Sequence, residues 1–68
     1  MSLYQNLLKL GLPMSNHESD LYVKWSPAAL ALVRANGTVY QSFRNPDGEL
    51  WLEVPFAYEP FWKGKGAA

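Results

Sequence analysis

The segment Asn45-Pro46-Asp47-Gly48 separates two runs of residues that favour β-strands. Asparagine at the first position, proline at the second and glycine at the fourth are typical of a type I turn. The run before it, 38–43, is rich in β-branched and aromatic residues, and the run after it, 49–54, alternates between aliphatic and other residues. Because two strands joined by so short a turn pair antiparallel, the sequence predicts a β-hairpin.

A third alternating run, 21–25, predicts another strand with one apolar face, and the polar segment before it, 14–20, predicts a turn. In the hairpin, we expect Phe43 to share the apolar face with the leucines and the valine of the second run. Two helices are expected to close this face. The buried residues are then predicted to be Leu7, Leu10, Leu21, Val23, Trp25, Leu30, Val33, Phe43, Leu50, Leu52 and Val54.

Both helices are predicted from the signals at their ends. Ser2 with Gln5 forms a capping-box pattern ahead of a leucine-rich stretch, which predicts a helix over 3–10. Ser26-Pro27 is a strong helix start and Asn36-Gly37 a matching stop, which predicts a helix over 27–35.

The segment 55–62 holds two prolines and four aromatic residues. The prolines disfavour a regular strand or helix, so we expect an extended aromatic tail that packs across the domain. The tail either completes the core or acts as a docking motif, with Phe61 and Trp62 as secondary contact candidates. Residues 63–68 are expected to form a flexible end.

The predicted fold class is therefore α+β, in the order α-β-α-β-β. One compact domain over 1–62 would hold a three-stranded, mainly antiparallel sheet with two short helices on one face. The order of the strands stays open, because the first strand could pair with either side of the hairpin.

Composition excludes several classes of protein. The 68 residues include no cysteine, which excludes disulfide scaffolds, iron–sulfur proteins and the usual structural zinc sites, so no cofactor or metal is expected. Six basic and six acidic residues give zero net charge, which disfavours a strongly basic nucleic-acid binder. The N-terminus is a poor signal peptide and no run approaches a membrane span of about 20 residues. We expect a cytoplasmic protein.

The sheet face opposite the helices is the main candidate for binding. Exposed aromatic residues on a sheet, mixed with basic ones, can bind a protein or stack single-stranded bases, although Glu49 and Glu53 share this face. The tail or a second copy of the chain, as in a homodimer, could also cover it. The predicted partner-binding residues are Tyr22, Lys24, Tyr40, Arg44 and Trp51.

The polar cluster at 16–20 contains the secondary candidates His17 and Glu18. Neighbours on one loop tend to point apart, whereas catalytic groups converge from separate elements. A hydrogen-bonded turn accounts for these residues more simply. No catalytic set is therefore assigned, and no enzyme is predicted.

Two stretches, GLPMSNHESDLYVKW at 11–25 and NPDGELWLEVPFAYEPFW at 45–62, resemble short uncharacterised proteins encoded on plasmids, phages and integrative elements of proteobacteria. The resemblance covers about half of the chain and implies an accessory protein of a mobile element, with no functional residue to carry over. We therefore predict a small non-enzymatic interaction or modulator protein that acts through an aromatic surface. The alternative is a single-stranded nucleic-acid binder that stacks bases on the same face.

Overall fold

The computed structural model describes residues 2–61 and has the α+β architecture predicted from the sequence. Its helices and strands follow one another along the chain as α1 Leu3–Leu8, β1 Met14–His17, β2 Asp20–Lys24, α2 Pro27–Asn36, β3 Gln41–Arg44 and β4 Leu50–Val54. Residues 59–61 are also helical.

The strands form one antiparallel sheet in the order β1-β2-β4-β3. The predicted hairpin is confirmed as the pair β3–β4, and β2 lies against its second strand. The prediction of three strands is wrong, because Met14–His17 forms a fourth strand at the edge of the sheet. Three of its four residues are exposed, so no buried face marks it as a strand. A tight turn at Glu18, where φ is 54°, folds β1 onto β2.

The helix ends follow the predicted signals. Ser2 and Gln5 form a complete capping box, and the Ser26 hydroxyl accepts a hydrogen bond of 3.0 Å from the backbone N–H of Ala29. Gly37 ends α2 in the left-handed conformation that glycine adopts at low cost, with φ of 73°. The first helix is shorter than predicted: it ends at Leu8, and Leu10 is 36% exposed rather than buried.

Both helices pack on one face of the sheet around a single core. Its central strands alternate as predicted, so their aliphatic side chains point toward the helices. The buried residues are Leu3, Leu7, Leu21, Val23, Ala29, Val33, Leu52 and Val54. Trp25, Leu30 and Tyr40 are partly buried against this cluster. Phe43 was predicted to belong to it but lies on the opposite face of the sheet, because it pairs with Trp51 on β4.

The segment after β4 is not the extended tail that the prolines suggested. It turns at Phe56, where φ is 62°, and continues into helical residues at 59–61. Proline is compatible with the first turn of a helix, which is why Pro60 does not prevent this one. Tyr58 packs on the core and against Tyr4, with ring centroids 5.4 Å apart, and its N–H donates to Ser19 O over 2.9 Å. The predictions for Trp62 and for 63–68 lie outside the described residues.

Candidate functional site

Within residues 2–61, the sheet face opposite the helices is left open, and it carries two of the three rings that the sequence singled out, Tyr22 and Trp51. We call it the outer face. Strand pairing and alternation place on it one set of side chains from each strand. The outer face consists of Ser15, His17, Asp20, Tyr22, Lys24, Gln41, Phe43, Trp51 and Glu53.

Three of the five predicted contact residues, Tyr22, Lys24 and Trp51, lie together on the outer face. The other two do not. Arg44 pairs with Leu50 and therefore points to the helix side, where its guanidinium donates to Gly48 O over 2.8 Å. Tyr40 packs against the core on that same side. The expected alternation in the first run was shifted by one residue, and a shift of one residue exchanges the two faces of a strand.

The same shift brings Phe43 to the outer face, where the sequence did not predict it. Phe43 lies directly opposite Trp51 in the pairing of β3 with β4. It also meets Tyr22 edge to face, with ring centroids 5.6 Å apart and an interplanar angle of 82°. The three rings are half-buried and border an open depression of about 440 Å³. Its lining residues are Ser15, His17, Tyr22, Phe43, Asn45 and Trp51.

One side of the outer face is held by an ion pair. Lys24 Nζ lies 2.7 Å from Glu49 Oε2, and the Asn45 amide donates to the other oxygen of that carboxylate over 3.1 Å. The hydrogen bonds from Lys24 and Asn45 lower the pKa of Glu49. Among residues 2–61, the buried indole N–H of Trp51 has no acceptor in hydrogen-bond geometry.

Glu53 occupies the middle of the outer face. It lies opposite Tyr22 on β2 and Gln41 on β3. The Tyr22 hydroxyl donates to Oε2 over 3.1 Å and the Gln41 amide donates to Oε1 over 2.6 Å. Partial burial raises the pKa of Tyr22, and the hydrogen bond and charge of Glu53 raise it further. Glu53 is thus a half-buried carboxylate surrounded by rings and neutral donors.

The secondary candidates separate in the structure. His17 points to the outer face and lines the depression, whereas Glu18 lies in the turn, where its carbonyl accepts from the Asn16 amide over 3.3 Å. Phe61 donates its N–H to Tyr58 O over 3.3 Å, and Trp62 is outside the described residues. Within residues 2–61, no group of three or more His, Cys, Asp or Glu side chains could hold a metal ion. None of the described helices has the length and apolar character needed to cross a membrane.

The described part of the tail lies on the helix side and leaves the outer face open. Pro55, Phe56 and Ala57 border a second cavity, of about 610 Å³, together with residues of α1 and of the 36–39 segment. Phe56 and Val39, which line it, are each 78% exposed. The sequence did not predict this cavity. Its lining residues come from separate segments that the turn after β4 brings together, and no alternation or spacing in the sequence marks them.

Comparisons with known proteins give no further assignment. No protein-family model matches the chain, and neither a curated protein nor a solved structure is significantly similar to it.

Proposed function

We propose that this chain is a small, non-enzymatic interaction protein that binds a protein partner through its outer face. The observation that carries the proposal is the group of three half-buried rings, Tyr22, Phe43 and Trp51, on a sheet face that the helices and the described tail leave open. Aromatic residues dominate the binding energy of protein interfaces, and clustered apolar surface on a small protein commonly marks such an interface.

The charges on the outer face favour a protein over a nucleic acid. Phosphate contacts supply most nonspecific affinity for nucleic acids, and they need unpaired basic residues. Lys24 is already paired with Glu49, Arg44 points to the helix side, and Glu53 places a negative charge between the rings. These contacts oppose the binding of a phosphate backbone.

A role as a cytoplasmic accessory protein of a mobile element belongs to the same proposal and is supported by the sequence resemblance alone. The partner could be a host protein, another protein of the element or a second copy of this chain. Sedimentation therefore has to separate a homodimer from a complex with a different protein.

A matched pair of phenylalanine variants tests the proposal. Phe43→Ser removes a ring from the outer face, whereas Phe56→Ser removes an exposed ring from the helix side. Tagged full-length wild type and both variants, each shown by circular dichroism to be folded, are used to capture partners, and the captured protein is then purified for direct binding. We expect the partner to bind wild type and Phe56→Ser equally, and Phe43→Ser at least tenfold more weakly.

Sedimentation of the same three proteins at micromolar concentration tests the second copy as partner. A dimer that is lost in Phe43→Ser and kept in Phe56→Ser would identify it. Binding that depends on Phe56 rather than Phe43 would contradict the proposal. So would quenching of tryptophan fluorescence by single-stranded oligonucleotides that strengthens at low salt and requires Trp51.

A further inference from the structure

We infer that the partner segment recognised by the outer face carries an arginine side chain, whose guanidinium pairs with Glu53 beside the rings of Tyr22 and Trp51. The inference rests on the proposed function, because it names the chemistry of the partner for that same face.

Within residues 2–61, the Glu53 carboxylate on the outer face has no basic partner. Lys24 and Glu49 form a pair at 2.7 Å and neutralise each other. Glu53 is different: its hydrogen-bond donors within residues 2–61 are the hydroxyl of Tyr22 and the amide of Gln41, and both are neutral. The outer face therefore presents a negative charge at its centre, and Asp20 at the start of β2 adds a second one on the same face. A partner with a positive charge at the matching position would be complementary to it.

Glu53 can accept more hydrogen bonds than it receives within residues 2–61. A carboxylate has about four acceptor positions. One donor on each oxygen leaves further positions on both oxygens. An arginine offers several N–H groups in a fixed plane and can bind both oxygens of one carboxylate together, which a lysine ammonium cannot do with the same geometry.

The rings of Tyr22 and Trp51 lie beside Glu53 on the outer face. Glu53 and Trp51 are two residues apart on β4 and point to the same side, and Tyr22 is the direct cross-strand partner of Glu53. A cation over the face of a tryptophan or tyrosine ring is attracted by the π electrons, and arginine stacks on such rings more often than lysine does. The combination of rings and an uncompensated carboxylate therefore selects a planar cation.

Three matched peptides test the inference: acetyl-Ser-Leu-Arg-Leu-Ser-amide and the versions with citrulline or lysine in place of arginine. Citrulline keeps the shape of arginine and removes its charge. Binding to the full-length protein at low ionic strength is followed by the NMR signal of the Trp51 indole N–H, which Trp51→Phe assigns. We expect the arginine peptide to bind at least fivefold more tightly than the citrulline peptide, with the lysine peptide between them.

Two variants that each remove one carboxylate charge provide the control. Glu53→Gln removes it from the outer face, and Asp47→Asn removes it from the exposed β3–β4 turn. Glu53→Gln should lower the affinity for the arginine peptide to that of the citrulline peptide. Asp47→Asn should keep most of the difference between the two peptides.

An equal response to the arginine and citrulline peptides, including no response to either, overturns the inference. So does an arginine preference that survives in Glu53→Gln. Failure here is distinct from failure of the proposed function. A captured partner that binds Glu53→Gln as tightly as wild type, and still requires Phe43, would overturn the arginine inference and leave the outer face as the interface.

Discussion

The hydroxyl of Tyr22 donates a hydrogen bond of 3.1 Å to Glu53, its direct partner across the pairing of β2 with β4. The ring of Tyr22 also contacts the ring of Phe43 on the edge strand β3, with centroids 5.6 Å apart. One tyrosine thus connects the carboxylate at the centre of the outer face to the aromatic cluster. The pKa of Tyr22 therefore reports on the burial of its ring and on the charges of Glu53 and Asp20.

Glu53→Gln is expected to bring the pKa of Tyr22 down toward its ordinary value of 10.0. The substitution removes the negative charge and the charged hydrogen-bond acceptor that favour the neutral phenol. Partial burial, which is the largest cause of the shift, remains, so part of the increase should persist. The measurement is an NMR titration of labelled tyrosine rings, with Tyr22→Phe to assign the signal. An unchanged pKa would show that the hydrogen bond does not form.

The raised pKa of Tyr22 predicts that the fold loses stability in alkaline solution. A tyrosine whose pKa is higher in the folded than in the unfolded state stabilises the fold below pH 10.0. That contribution is lost as the pH rises from 10.0 through the higher folded pKa. Denaturant unfolding across this range should therefore show a smaller loss of stability for Tyr22→Phe than for wild type. A loss of the same size in both proteins would contradict the assignment to Tyr22.

Gly48→Val is expected to destabilise the fold through the β3–β4 turn. Gly48 has φ of 84°, and its N–H donates to Asn45 O over 2.9 Å. No atom lies within 4 Å of the position that a Cβ would take, so the cost comes from the backbone conformation and not from a clash. Strain of this kind costs about 1–3 kcal/mol, which thermal unfolding would detect. Gly48→Asn is the control and should cost less, because asparagine tolerates positive φ. Equal melting temperatures for wild type and Gly48→Val would contradict the turn geometry.

The parts of the fold that sequence predicted correctly are those specified by local chemistry. Ser26 and Gly37 mark the two ends of α2 because a cap and a left-handed glycine act on the adjacent backbone. Leu21 and Leu52 were placed correctly because aliphatic residues alternate along strands covered on one side. β1 was not predicted, because it is an exposed edge strand. It pairs through its backbone and carries no apolar pattern.

The candidate site was predicted only in part, for a related reason. Tyr22 and Trp51 lie on strands whose aliphatic residues fix which side faces the helices. β3 has no such residues: all but Phe43 are exposed, so nothing in its own sequence separates the two faces. Its register follows from the turn and from pairing with β4, and that is why Tyr40 and Arg44 were assigned to the wrong face.

Leu7 and Leu8 are adjacent in α1 but differ in burial. Leu7 is fully buried, and Leu8 is 48% exposed. Leu7→Ala should destabilise the protein by about 2–5 kcal/mol, the usual cost of a cavity in a core. For a chain of this size, such a change lowers the melting temperature by about 4–8 °C per kcal/mol or prevents folding. Leu8→Ala should change stability by no more than about 0.5 kcal/mol. Similar effects of the two substitutions in urea unfolding would contradict the position of α1.

The contact between Tyr4 and Tyr58 is expected to attach the segment after β4 to the first helix. The two rings meet edge to face at 5.4 Å, an arrangement that contributes about 0.5–1.5 kcal/mol beyond the burial of the rings. A double-mutant cycle with Tyr4→Ala and Tyr58→Ala should give a coupling energy of that size. Additive effects would show that the rings do not interact. Removal of all residues after Val54 should destabilise the protein further, because Ala57 and Tyr58 both pack on the core.

Phe56→Asn is expected to stabilise the protein, although it removes a large apolar side chain. Phe56 has φ of 62°, which costs a residue other than glycine about 1–2 kcal/mol, and asparagine adopts this conformation more readily. The ring is 78% exposed, so little burial is lost with it. The gain should be about 0.5–1 kcal/mol, measured by chemical unfolding. Val39→Asn is the matched control, since Val39 is equally exposed and has no positive φ, and it should bring no gain. A loss of stability in Phe56→Asn would show that the ring makes contacts that outweigh the strain of its backbone.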